Sequence, residues 1–337
     1  MTIKDIAAIC GVSVSTVSRV LNDHPDVSEA NRAKVLAAVQ EHHYIPNSAA
    51  RDLVKPASDA VGVVVRGAGN PFFSAIIGAI ENAIEEAGYT MVLHQIRPGE
   101  DELAAAADLV RSKRLQGVIM LGGCFDYTKN QVAVLGVPFV LCTYTNSFGD
   151  LPRKAYSSVT IDDRREAKRA VQHLLEQGHR SIGVLLDAVH DRSIAQLRYV
   201  GYCEALKEAG IEPEDSLVEE TGNFDLPAAY SGMERLLKRR PDLTAVFVIS
   251  DSMAIAAMKA LHDHGRSVPG DCSVVAIDGI DLSAYTLPTL TTLVQPQREM
   301  GESAVRLLVD ILQGRADNRH LVLRTTLRPG GSVAPKP

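Results

Sequence analysis

The sequence predicts a multi-domain chain: an all-α helix-turn-helix headpiece ahead of an α/β core of two doubly wound parallel-sheet subdomains. Three observations carry that expectation. Residues 1–57 hold short helical segments and no strand-like run. From Val61 onward, continuous apolar runs alternate with amphipathic helical patterns, as strands buried on both faces of a parallel sheet require. These βα units extend over more than about 250 residues, which exceeds one comfortable hydrophobic core.

In the headpiece, Thr2 and Asp5 make a T-x-x-D entry into a helix whose inward face is Ile3, Ile6, Ala7 and Cys10. Such a pair can satisfy orphan N–H groups at a helix start. Gly11 breaks that helix, and Ser13 can cap a second one over residues 14–22, with Val17, Val20 and Leu21 inward at helical spacing. After the loop at His24-Pro25-Asp26, Ser28 can cap a third helix that turns Val35, Leu36 and Val39 inward. Two helices joined by a tight Gly-containing turn, with a third packed across them, make a helix-turn-helix. Beyond Tyr44-Ile45-Pro46-Asn47 lies SAARDLVK, ended by Pro56. A helix that short is not stable alone, so it is expected to order only on binding something.

The strand-like runs of the core are VGVVV (61–65), TMVLHQ (90–95), GVIML (117–121), PFVLC (138–142), SIGVLL (181–186), TAVFVIS (244–250), CSVVAI (272–277) and LTTLV (290–294). Helical patterns fall between most of them, for example over 74–87, 163–177, 194–209 and 251–264.

Composition narrows the class. With 46% apolar and 23% charged residues, the chain reads as ordinary globular protein. No apolar run approaches the roughly 20 residues that span a bilayer, and MTIKDIAAIC is no secretory leader; no membrane partner and a cytoplasmic location are expected. Five cysteines (Cys10, Cys124, Cys142, Cys203 and Cys272) are scattered without a CxxC, so neither a disulfide framework nor a zinc site is expected. The net charge of −6 gives no whole-protein basic field, although a local DNA-binding surface remains compatible with it.

The second helix, in GVSVSTVSRVLN, is built from poor helix formers. With Val17, Val20 and Leu21 inward, Val14, Ser15, Ser18 and Arg19 can face out. A recognition helix needs short side chains close to the bases, hydroxyls that donate or accept, and an Arg that reaches guanine O6 and N7. A small polar surface helix is the competing reading.

The pattern T-I-K-D-I-A…G-V-S-V-S-T-V-S-R-V-L-N…V-S…R…V…Y-I-P-N-x-x-A-R-x-L covers nearly all of residues 2–53 and resembles the headpiece of LacI/GalR-family bacterial transcriptional repressors. The resemblance implies that Val14, Ser15, Thr16 and Arg19 read bases, and that Thr2, Ser18, Asn22, Tyr44, Asn47, Ala50 and Arg51 are further DNA contacts. It makes the segment after Pro46 a hinge helix and Leu53 a minor-groove wedge, which kinks the duplex at a central CG step. One departure matters: residues 1–57 contain six Lys/Arg and six Asp/Glu, so the headpiece is formally neutral although DNA binding relies on phosphate neutralisation. Asp52, and Val54 where some relatives carry Lys, lower it further. Weak non-specific binding and strong reliance on dimerisation are predicted; tight binding of random DNA by the isolated headpiece would refute that.

The βα region, to about residue 328, is similar to the family's effector-binding core, which itself resembles periplasmic sugar-binding proteins. NPFF (70–73), the R-x-x-G-Y at 198–202, SDSMAIAAMKAL (250–261) and VVAIDGIDLSAYTLPTLTTLVQP (274–296) carry that likeness. Most begin just after a strand, where open α/β sheets bind ligands. The resemblance implies Arg198, Asp251 and Asp278 as polar effector contacts and Phe72, Phe73 and Phe224 as stacking walls, a set suited to a polyhydroxylated sugar. Taken singly, Asp251 could merely cap a helix, Arg198 could be a solvated face, and the Phe pair could be core. Thr143 stands where many relatives carry Asp. Arg192, six residues before Arg198, is similar to purine-responsive members, and Arg66 adds a third guanidinium, so an anionic or purine-like effector is the alternative to a sugar.

Enzyme readings fare worse. VVVRGAGNPFF lacks the third Gly of a dinucleotide fingerprint, and Pro71 and Phe72 occupy its turn. No GxSxG, P-loop or HExxH is present, so no cofactor, catalytic residue or metal is expected. A solute-binding protein would need a signal peptide in place of the headpiece.

The reading is a ligand-responsive transcriptional repressor, a homodimer on a near-palindromic double-stranded operator, with a carbohydrate effector bound between the core subdomains. The expected division is 1–46 headpiece, 47–57 hinge and 58–330 core, with a loose tail at 331–337. Within the core, about 58–158 plus 289–318 form the first subdomain and about 159–288 plus 319–330 the second. The C-terminus has no leucine heptad, which favours a dimer over a tetramer.

Overall fold

The computed structural model describes residues 2–21, 24, 26–42, 58–67, 69–97, 100–190 and 192–336. The chain divides into two compact units, Met1–Ser58 and Asp59–Pro337.

In the first unit, helices α1 (Ile3–Cys10), α2 (Val14–Leu21) and α3 (Glu29–Glu41) surround one small core. The Asp5 carboxylate accepts the Thr2 N–H at 2.7 Å and the Thr2 hydroxyl at 2.9 Å, which fixes the start of α1. Gly11 ends it at φ 61°, a left-handed conformation that glycine adopts without a Cβ penalty. Ile6, Ala7, Cys10, Val17, Val20, Val35 and Ala38 form the core, and burying each valine contributes roughly 1.5–3 kcal/mol. Leu36, expected inward, is exposed. Val35, Ala38 and Val39 follow the i, i+3, i+4 stripe that faces α1 and α2, and Leu36 falls off it.

The second unit holds two six-stranded sheets. The first contains β1 (Ala60–Arg66), β2 (Thr90–Ile96), β3 (Gly117–Leu121), β4 (Phe139–Cys142), β5 (Ser157–Thr160) and β11 (His320–Val322), in the order β11-β5-β4-β3-β1-β2, all parallel. The second contains β6 (Ile182–Leu186), β7 (Val218–Glu220), β8 (Ala245–Val248), β9 (Ser273–Asp278), β10 (Thr291–Val294) and β12 (Thr326–Arg328), in the order β12-β10-β9-β8-β6-β7. Only β12 runs antiparallel to its neighbour. The first helices and strands of each lobe follow the doubly wound order 2-1-3-4-5, with a switch point between β1 and β3 and another between β6 and β8.

Covering helices are α4 (Pro71–Glu86), α5 (Glu102–Lys113), the short α6 (Lys129–Val132), α7 (Asp163–Glu176), α8 (Ile194–Glu208), α9 (Leu226–Arg239), α10 (Asp251–Asp263) and α11 (Gln297–Leu312). Helices α7 and α8 pack closely because Gly201 lacks the Cβ that would strike the Arg164 carbonyl.

The lobe boundaries differ from expectation. Both Val159 and Thr160 remain in the first sheet, so the chain crosses after β5 rather than at 158. Strand β10 pairs with β9 in the second sheet, and the return falls after Val294 instead of at 289. Strand β11 then joins β5 in the first sheet before β12 crosses back. The tail is also not loose. Ser332 is fully buried; its hydroxyl donates to the Val274 carbonyl at 2.6 Å and accepts the Thr291 N–H at 2.8 Å. The Lys336 N–H donates to Gln177 O at 2.8 Å. The tail thus ties the starts of β9 and β10 together and closes the C-terminal end of α7. Among the described residues, no helix is long and apolar enough to cross a membrane.

Candidate functional site

Helix α2 of the first unit presents Val14, Ser15 and Arg19 as exposed side chains, with Thr16 and Ser18 half-buried beside them. Thr2 is exposed at the start of α1. The Ser13 hydroxyl caps α2 by accepting the Thr16 N–H at 3.1 Å, and lies 2.7 Å from Ser15 Oγ and 2.8 Å from Thr16 Oγ1. The Ser15 hydroxyl, exposed and bonded to Ser13 Oγ, can exchange that bond for a base edge or a phosphate. This accounts for a helix of poor helix formers: the Ser13 cap stabilises it, and its exposed side chains include a short hydroxyl and an Arg. Asn22, Tyr44, Asn47, Ala50, Arg51 and Leu53 lie outside the described residues.

In the core, the loops after β1, β3, β6 and β8 meet at a cavity of about 320 Å³, where the switch points of the two sheets face each other. Phe72, Phe73, Thr143, Arg192, Arg198, Phe224 and Asp278 all line it. Asn70 builds one wall: its Oδ1 accepts the Phe72 N–H at 3.1 Å, and Pro71 opens α4 behind this cap. The pair Phe72 and Phe73 then stand with ring centroids 5.4 Å apart at 60°. Ser252 of α10 donates to the same Asn70 oxygen at 3.3 Å, joining the two lobes.

Arg198 is fully buried. Its Nε and Nη2 donate to Asp163 Oδ1 at 3.0 and 2.9 Å, Nη1 donates to the Ile249 carbonyl, and Nη1 stands 3.6 Å from Asp278 Oδ1. Asp278 also accepts from Gln295 Nε2 at 2.9 Å. Burial pushes the Asp278 carboxyl up to about 7 and Asp163 up to about 6, with Arg198 opposing the rise in both. Among the described residues, four that are not glycine have positive φ, and three of them line this cavity: Thr143 (79°), Arg192 (52°) and Asp278 (133°). Such conformations cost of order 1–3 kcal/mol each and concentrate at functional sites.

Asp251 is the exception among the expected contacts. It does not line the cavity. Its carboxylate accepts the Ile280 N–H at 2.9 Å, the Ser283 hydroxyl at 2.7 Å and the Thr292 hydroxyl at 2.5 Å, tying α10 to the loop after β9 and to β10. All three of these donors come from neighbouring elements of the fold, so its place is structural. It is Ser250, one residue earlier, that caps α10 and faces the cavity.

Sequence reading missed Asp163, Asp187, Phe125, Tyr144 and Gln295. All but Asp163 line the cavity, and most sit within a few residues of a strand end, a signal available from the runs themselves. Among the described residues, no cluster of His, Cys, Asp or Glu is placed to hold a metal.

A helix-turn-helix unit followed by a two-lobed core with a polar, aromatic-walled cavity defines a ligand-responsive DNA-binding regulator. Comparison with known proteins agrees. Residues 2–47 match the family described as bacterial regulatory proteins, lacI family, and residues 171–333 match the periplasmic binding protein-like domain. The chain is 42% identical to the HTH-type transcriptional regulator MalR of Clostridium butyricum over 329 residues, 97% of each chain. Among solved structures, a complex of the transcriptional regulator CelR with cellobiose is 32% identical, with a TM-score of 0.72 over 98% of this chain and 99% of that one. A lac repressor dimer bound to operator and the anti-inducer ONPF is 28% identical, with a TM-score of 0.82 over 99% of both. This chain belongs to the LacI family: it is an effector-controlled, DNA-binding transcriptional repressor, and not an enzyme.

Proposed function

We propose that the effector is a neutral, polyhydroxylated sugar held in the 320 Å³ cavity, and that it controls how a homodimer engages a near-palindromic operator. One observation carries the choice of ligand: each guanidinium at the cavity has an acidic partner. Arg198 has Asp163 and Asp278, Arg66 has Glu102, and Arg192 Nη1 stands 3.4 Å from Asp126 Oδ2. Cations neutralised by the protein offer little net attraction to a phosphate or carboxylate, whereas paired charges still bond hydroxyls well. Phe72, Phe73 and Phe224 supply apolar faces for a sugar ring. The cellobiose bound by the CelR relative supports the same class. An anionic effector would leave these carboxylates to be overcome.

Closure of the lobes on the sugar changes their relative orientation and thereby the spacing of the two hinge segments. That shifts the population able to order on DNA, with Leu53 wedged at a central CG step. The dimer surface proposed includes the loop after β9, where Leu282, Tyr285 and Leu287 are 55%, 82% and 97% exposed. Large apolar side chains grouped on a surface mark an interface, and the related lac repressor is a dimer. Leu287→Asp is expected to yield a monomer in analytical ultracentrifugation while leaving the thermal transition of the core near its original temperature. A variant that stays dimeric would exclude this loop.

On the DNA side, Val14, Ser15, Thr16 and Arg19 of α2 read bases, and Thr2 and Ser18 position the helix. Arg19→Ala is expected to cost about 1–3 kcal/mol of operator affinity and to relax preference at one base pair per half-site. Anisotropy titrations with operator variants measure both; equal loss on random DNA would make Arg19 a phosphate contact instead.

A further inference from the structure

The inference concerns Glu102 and rests on the neutral-effector reading above. Arg66 ends β1 and stands in the cavity wall, where a guanidinium would attract an anionic ligand. Instead its Nη2 pairs with Glu102 Oε2 and donates to the Glu100 carbonyl at 3.0 Å. Glu102 lies in the first turn of α5, behind the Asp101 cap, and is only 3% exposed; it does not line the cavity. Its Oε1 accepts the Cys124 N–H at 2.8 Å and the Tyr127 hydroxyl. Tyr127 Oη is in turn 3.3 Å from Tyr144 Oη, and Tyr144 lines the cavity. One buried carboxylate therefore joins the ends of β1 and β3 and, through two tyrosines, the end of β4.

We infer that Glu102 is a specificity-determining residue of the effector site: as the buried counter-ion of Arg66, it withdraws that cation from the cavity and so selects neutral effectors over anionic ones. Every partner of Glu102 is a donor, so the network requires an acceptor on both oxygens. Burial acts to raise its pKa, but the bonds from Tyr127, the Cys124 N–H and Arg66 prevail and hold Glu102 below the usual carboxylate range. Gln at this position keeps one oxygen for Cys124 and Tyr127 but turns an NH₂ toward the guanidinium. Two donors cannot satisfy each other, and Arg66 is released to face the ligand.

The test uses the full-length protein and calorimetric titration with glucose, ribose and cellobiose as neutral probes and glucose 6-phosphate and glucuronate as anionic ones. The wild type prefers neutral probes. Glu102→Gln is expected to gain about tenfold or more in affinity for an anionic probe, the scale of one hydrogen bond to a charged group. The double variant R66M/E102Q is expected to return to the wild-type preference. No gain in Glu102→Gln, or a gain that persists without Arg66, overturns the inference. Should Glu102→Gln fail to fold, the double variant still tests the inference: anion binding acquired there contradicts the role of Arg66 and overturns it. A wild type that prefers anionic probes and loses them in Arg66→Met would contradict the neutral-effector reading itself. A wild type that prefers neutral probes, with Glu102→Gln unchanged, contradicts only the role of Glu102.

Discussion

Arg198→Met is expected to abolish the response to effector and to lower the stability of the core by about 3–5 kcal/mol. The guanidinium is buried with Asp163 bonded to two of its nitrogens and Asp278 at 3.6 Å. Methionine fills much of the volume but leaves two buried carboxylates without their cation. Urea unfolding measures the stability loss, and a ligand-induced shift of the thermal transition measures binding. A variant within about 1 kcal/mol of the wild type would mean that the ion pair is solvated, against its burial.

The same triad sets a pH dependence. Burial raises the folded-state pKa of Asp163 to about 6 and of Asp278 to about 7, from a model-compound value of 3.8. Between about pH 4 and 7 the folded state therefore holds more protons than the unfolded chain, and this contribution to stability falls as pH rises through that window. Effector binding runs the other way. In the proposed binding mode, sugar hydroxyls donate to the ionised Asp278, so affinity is expected to drop by up to about tenfold per unit as pH falls below 7. Calorimetric titration between pH 5 and 8 checks the slope; a flat profile would show that Asp278 does not exchange a proton on binding.

Asp251→Ala is expected to destabilise the core by about 3 kcal/mol while leaving the ranking of sugars as in the wild type. Removing the carboxylate strips a buried N–H at Ile280 and the hydroxyl of Thr292 of their acceptor, while Ser283 keeps the Ile280 carbonyl at 2.6 Å, and each unsatisfied buried group costs about 1–3 kcal/mol. Arg198→Met and Asp251→Ala thus separate as binding and structural lesions. If Asp251→Ala reordered the ligand preference, Asp251 would belong to the cavity after all.

The sequence made much of this legible, for reasons that can be located. Runs such as VGVVV and CSVVAI are strands buried on both faces, and their apolar continuity alone marks β1 and β9. Strand β5 reads SSVT, and β7, β11 and β12 have three residues each; nothing in their composition distinguishes them from loop. That blindness displaced the boundaries at β5 and β11; β10 was legible as LTTLV, but nothing in its composition assigns it to the second sheet, where it pairs with β9. Asp251 and Asp278 look equivalent in sequence, each at the end of a strand. What separates them is direction: Asp278 sits at φ 133° and reaches the cavity, whereas Asp251 opens a helix and turns to Ser283 and Thr292. Arg198, legible as a candidate, was not legible as a paired charge, because Asp163 lies 35 positions away and reads merely as a helix start.

Control of operator affinity by a neutral sugar in the core cavity is tested directly by one coupled titration. The full-length protein is titrated onto a fluorescently labelled palindromic operator, selected from a random library, with and without saturating neutral or anionic sugars, and the series is repeated with Asp278→Ala. A neutral sugar is expected to change operator affinity by about 5- to 150-fold in the wild type, DNA to change sugar affinity by the same factor, and Asp278→Ala to lose both effects. An Asp278→Ala protein that answers the sugar at wild-type concentrations, or a wild type that answers only anionic ligands, would contradict that control.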